Sequence, residues 1–133
     1  MIKHIKKLLE AKNLLLLALL YSVIITIAFL MPTSNLPKLE FYIPLDKIIH
    51  FFIYLLLSIL WISYLNLNEV KGLPVSSVLI VFIVFLVYGI VIEVLQENLT
   101  TTRKADIIDV LANTFGSIIG YFVFLKVKNR IKT

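Results

Sequence analysis

RKADIIDVLANTFGSIIG, residues 103–120, decides how this chain folds. It is an apolar segment broken at Asp106, Asp109, Asn113, Gly116 and Gly120, and offsets of three and four residues set all five on one side of a helix. A polar and small-residue stripe on an otherwise greasy helix faces protein, not lipid. The segment therefore belongs to a bundle of membrane-spanning helices.

Working outward, composition agrees. At 133 residues, 60% hydrophobic and 16% charged, the chain is too apolar for a soluble domain and reads as an all-α membrane protein. Four apolar runs, 14–30, 48–65, 75–95 and 107–125, each approach the ~20 residues that cross about 30 Å of hydrocarbon. A four-transmembrane-helix bundle then accounts for residues 1–133 as one domain. The first run follows lysines, as a signal peptide would. Its apolar core exceeds the usual ~7–15 residues and no small-residue cleavage pattern follows, so it is read as a helix. The absence of cysteine excludes disulfides, thiolate metal sites and a cysteine nucleophile.

The net charge of +5 is a topology signal, because the basic residues cluster at the ends of the apolar runs and no nucleic-acid motif is present. Placing both termini and the 66–74 loop in the cytoplasm puts nine basic residues inside (Lys3, Lys6, Lys7, Lys12, Lys71, Lys126, Lys128, Arg130, Lys132) and four outside (Lys38, Lys47, Arg103, Lys104). The expectation is an N-in/C-in, multi-pass protein of the cytoplasmic (inner) membrane. Its polar residues then gather at the extracytoplasmic face: Asp46, Lys47 and His50 at the start of the second helix, Glu93 and Gln96 at the end of the third, and Arg103, Asp106, Asp109 and Asn113 at the start of the fourth. The opposite halves are expected to be Leu, Ile, Val and Phe, with Trp61 and Tyr64 as interfacial aromatics. The 32–45 loop, with Pro32, Pro37 and Pro44, suits a short interfacial segment around LEFYIPL.

Ionisable residues in a spanning helix cost on the order of 2.5–3.5 kcal/mol near the bilayer centre, so these groups should converge on one another. Asp46 and His50 are four apart and share a helix face that Tyr54 continues; the carboxylate is placed to orient the imidazole as a general base or proton carrier. The plainer role for Asp46 is to cap its helix. Glu93, flanked by apolar residues at a helix C-terminus, needs a cationic partner such as Arg103 or Lys47, or a retained proton. Arg103, Lys104 and Lys47 bring three cations beside two helix N-termini, which suits a phosphate; headgroup anchoring by snorkelling is the plainer role, above all for Lys104. Gly116 and Gly120 allow close helix approach, with Asn113 bonding across the contact, and Asp109 is the best candidate for a functional carboxylate.

Three motifs occur in order: Asp46-Lys47-x-x-His50-Phe51, Glu93-x-x-Gln96, and Arg103-x-x-Asp106-x-x-Asp109-x-x-x-Asn113-x-x-Gly116. With them the sequence resembles the VanZ-like family of small integral membrane proteins from Asp46 onward, departing at Thr102, where members commonly carry glycine. The resemblance implies a cell-envelope role, since the family takes its name from a protein linked to resistance to the glycopeptide teicoplanin.

The leading expectation is an outer-face site for the phosphate or pyrophosphate headgroup of a membrane lipid, of polyprenyl-phosphate type. Lys47 and Arg103 form the clamp; His50, Glu93 and Asp109 supply proton transfer; and Asp46, Gln96, Asp106 and Asn113 complete the binding set. Any chemistry would be phosphoryl hydrolysis or transfer. No signature assigns metal ligands, although carboxylates with one histidine suit a divalent cation such as magnesium or manganese. The alternatives are a non-catalytic shielding protein, monomeric or homo-oligomeric, that alters antibiotic access to lipid precursors, and a proton- or ion-coupled carrier.

Overall fold

The computed structural model describes residues 10–31, 45–100 and 104–131, the side chains of 130 and 131 excepted. The described residues form four helices: α1 (Ala11–Leu30), α2 (Leu45–Leu67), α3 (Val75–Leu99) and α4 (Ile107–Ile131). Each is long and apolar enough to cross a membrane. Large apolar side chains such as Leu16, Ile27, Phe52, Ile83, Val87 and Phe122 are exposed around the outside of the bundle, a surface suited to lipid. The chain is a four-span integral membrane protein.

The helices outrun the apolar segments. α1 starts three residues before Leu14, α2 starts at Leu45 and ends at Leu67, α3 continues past Leu95 to Leu99, and α4 runs on past Leu125. Backbone hydrogen bonding continues wherever polar side chains can reach water, so a hydropathy edge marks the hydrocarbon boundary and not the helix end. Thr100 closes α3, its amide and its hydroxyl both donating to the Gln96 carbonyl at 3.0 and 2.7 Å. Between α2 and α3 the chain turns through Gly72, at φ +89°, a backbone conformation open to glycine, and Pro74 precedes α3.

Around the bundle the order is α1, α2, α4, α3. The largest contact joins α2 to α4, α1 packs on α2 and α3, α3 packs on α4, and α1 and α4 do not meet among the described residues. The α2–α4 contact is made backbone to backbone by the stripe seen in the sequence. A Cβ at Gly116 would fall on the carbonyl of Phe51, and one at Gly120 would lie 2.5 Å from the Leu55 carbonyl oxygen. Ser58 tightens it by donating to the Ser117 carbonyl at 2.8 Å.

α1 is attached differently, through hydroxyls. Tyr21 donates to the Ile53 carbonyl at 3.1 Å, Trp61 to Ser22 Oγ at 3.1 Å, and Thr26 pairs with the Tyr88 hydroxyl at 2.7 Å. These interhelical hydrogen bonds run through the middle of the bundle, and Trp61, on the inner half of α2, is a cross-helix donor. Single Ser and Thr residues sit easily in apolar helices because each also bonds the carbonyl four back, as Ser22 does to Ala18 and Thr26 to Ser22. Beneath the site lies an apolar core of Ile25, Phe29, Tyr54, Leu57, Ile62, Val81, Phe85, Ile92 and Phe124.

Candidate functional site

The polar residues of α2, α3 and α4 meet at one end of the bundle. Asp106 starts α4: its Oδ1 accepts the Ile108 amide at 2.8 Å and its carbonyl accepts the amides of Asp109 and Val110. Its other oxygen takes Lys47 Nζ at 2.6 Å, and the same ammonium donates to Asp109 Oδ1 at 3.1 Å. Lys47 therefore ties the first turn of α2 to the first turn of α4. Asp106 lies just outside the span, where the Lys47 hydrogen bond, followed by the Ile108 amide, holds its carboxyl below the usual range.

One turn deeper sits His50, 1% exposed, under the Phe29 ring of α1 at a centroid distance of 4.6 Å. Its Nδ1 lies 3.1 Å from Asn113 Oδ1, a hydrogen bond that Nδ1 donates when it carries the proton. Nε2 faces Asp46 Oδ1 at 3.9 Å, and Glu93 Oε1 is 3.8 Å from Nδ1. The second Glu93 oxygen accepts the Asp106 amide at 3.1 Å, joining α3 to the head of α4. Gly89 clears the space beside this group: a Cβ there would be 3.1 Å from Asn113 Nδ2 and 3.4 Å from the Tyr54 hydroxyl.

Among the described residues, four buried polar atoms have no hydrogen-bond partner: His50 Nε2, Tyr54 Oη, Glu93 Oε1 and Asn113 Nδ2. All belong to this one cluster. Buried polar groups are normally satisfied, so unmet capacity gathered at one place marks where a bound group would find partners.

Several expectations change in detail. Asp46 lies in the first turn of α2, one residue inside the helix, so it suits the helix dipole without capping; the capping aspartate is Asp106. His50 is held by Asn113, with Asp46 beyond hydrogen-bond reach, which gives Asn113 a place in the site as well as in the helix contact. Lys47 serves Asp106 and Asp109 rather than Glu93, which accepts the Asp106 amide and faces His50 Nδ1. Gln96 bonds across to α1, its Nε2 donating to the Phe29 carbonyl at 2.8 Å. Lys104 is exposed, as an anchoring lysine should be. Arg103, Thr102 and the proposed interfacial segment in the 32–45 loop, Leu45 apart, lie outside the described residues. The sequence reading missed Tyr54 as an unsatisfied hydroxyl and Phe29 as the cover of His50; the four-residue step from His50 was the available signal for Tyr54, and nothing in the sequence marked Phe29.

Four spanning helices with carboxylates, a lysine and a histidine drawn together at one end define a polytopic membrane protein with a polar site near one membrane face. The sequence matches the VanZ/LLP1 family over residues 2–129, essentially its whole length, and the chain belongs to that family. Comparison with curated proteins and with solved structures returned no match.

Proposed function

We propose that this VanZ/LLP1 protein binds the phosphorylated headgroup of an envelope lipid, of polyprenyl-phosphate type, at the extracytoplasmic end of its bundle. The observation that carries the reading is Lys47 held between two helix N-termini beside four buried polar atoms that lack partners. The sidedness rests on the basic residues Lys12, Lys71, Lys126 and Lys128 at the opposite helix ends, the pattern of a cytoplasmic face. In this reading Lys47 and Arg103 clamp the phosphate, and His50, Glu93 and Asp109 are the groups able to move protons should phosphoryl transfer or hydrolysis follow.

A non-catalytic shielding role, in which the protein limits antibiotic access to lipid precursors, is the second reading. It is favoured by the helix-to-helix bonds of Gln96 and Asn113, which make part of the polar set scaffold. Native mass spectrometry of gently purified wild type and Arg103→Ala tests the headgroup site. A lipid-phosphate mass on the wild type that is lost from the variant is expected; a ligand-free wild type overturns the reading. Asp109→Asn and His50→Gln separate the two roles, because an enzyme loses turnover in both whereas a shield retains its effect in at least one.

A further inference from the structure

Lys47 pairs with Asp106 and Asp109, and among the described residues no lysine pairs with Asp46 or Glu93. Asp109 also takes part in a different arrangement. One ligand-type atom each from Asp46, His50 and Asp109 falls within 4.8 Å of the other two. Donors that share an ion at ~2.0–2.2 Å each lie about 3–4.4 Å apart, and His50 Nε2 and Asp46 Oδ1, at 3.9 Å, already fall in that range.

The histidine is prepared for this role. Asn113 Oδ1 is placed to accept a proton held on Nδ1, which is how an outer-shell carbonyl orients a metal-bound imidazole. In the neutral ring Nε2 then presents a lone pair, and that atom is buried, unpartnered and turned toward Asp46. The lone pair and the two carboxylates repel one another, and Lys47 relieves this only at Asp109, so a cation between the three would be favoured.

We propose that Asp46, His50 and Asp109 bind a divalent transition-metal ion, of the Zn²⁺ or Mn²⁺ class that accepts mixed imidazole and carboxylate donors. The inference goes beyond the headgroup reading and stands on these three side chains alone. Three protein ligands leave coordination positions open, which is where an oxygen ligand such as water or phosphate would attach. Lys47 Nζ, 3.1 Å from Asp109 Oδ1, repels the ion and competes for that carboxylate. Glu93 Oε1 reinforces the imidazole from the Nδ1 side.

The test is a Mn²⁺ titration of the full chain, stripped with chelator in detergent micelles and followed by the electron paramagnetic resonance signal of free Mn²⁺, with Zn²⁺ stoichiometry by elemental analysis. We expect one ion per chain, affinity at least tenfold weaker in Asp46→Asn and in His50→Gln, and tighter binding in Lys47→Met. Asp46 is more than half exposed, so Asp46→Asn decides the matter even if His50→Gln fails to fold. No saturable binding, the result expected if His50 is instead an imidazolium paired with Asp46, overturns the site. So does stoichiometric binding that Asp46→Asn leaves unchanged. Native mass spectrometry after chelation separates the two ideas: lipid phosphate retained by a protein that binds no ion removes the metal site and keeps the headgroup reading, and an ion bound without lipid does the reverse.

Discussion

Gly116 of α4 lies so close to the Phe51 carbonyl of α2 that no side chain fits between the two backbones. Gly116→Ala should therefore force the helices apart, a change costing about 1–3 kcal/mol as overpacking does elsewhere. Gly89→Ala meets only the end of the Asn113 amide at 3.1 Å and should cost less while disturbing His50. Thermal unfolding in detergent checks the order; equal stability of wild type and Gly116→Ala would show that the contact is looser than this geometry.

The Lys47–Asp109 pair should behave as a partly buried ion pair, with side chains 26% and 6% exposed. Lys47→Met strands a buried carboxylate and should destabilise the protein by about 1–3 kcal/mol, between the values for exposed and fully buried pairs. Adding Asp109→Asn should recover part of the loss. A double-mutant cycle measures this, and strictly additive effects would mean the two groups do not interact.

Stability should fall in acid partly through Asp106. Its carboxyl titrates lower in the folded protein than in the unfolded chain, first because of Lys47, so its contribution is complete above the unfolded value of about 4 and disappears as pH falls through the folded one. Denaturation curves of wild type and Asp106→Asn should run parallel above about pH 5 and converge below about pH 4. Curves that stay parallel through that window would remove Asp106 as a contributor.

Single cysteines report sidedness directly in a chain that has none of its own. A cysteine at Lys38 should react with an impermeant thiol reagent on intact cells or spheroplasts, and one at Lys71 should not. The reverse labelling would move the polar end to the cytoplasm and end the envelope-lipid proposal.

Much of the architecture could be read from residue spacing because a period of three to four is a geometric constraint. Asp109, Asn113, Gly116 and Gly120 are all buried, as one helix face requires. Spacing cannot say which helix that face meets. Here it is α2, two elements earlier, and the partner was hidden because Phe51 and Leu55 contribute their backbones. The same limit applied to Ser22, Thr26 and Tyr88, whose hydroxyls look self-sufficient until the fold brings them together. Asp106 was more legible than we read it: an aspartate immediately before an apolar run is a helix-start signal.

The order of helices around the bundle also bears on how the protein is made. α2 and α3 are neighbours in the chain yet share the smallest of the interhelical contacts, and the groove of α2 that receives Gly116 and Gly120 is completed by α4, synthesised after the other three. A nascent chain that has inserted three helices still shows that groove to lipid. Assembly therefore waits on α4, and a chain truncated after α3 should be a substrate for membrane quality-control proteases even though every helix in it is apolar enough to insert.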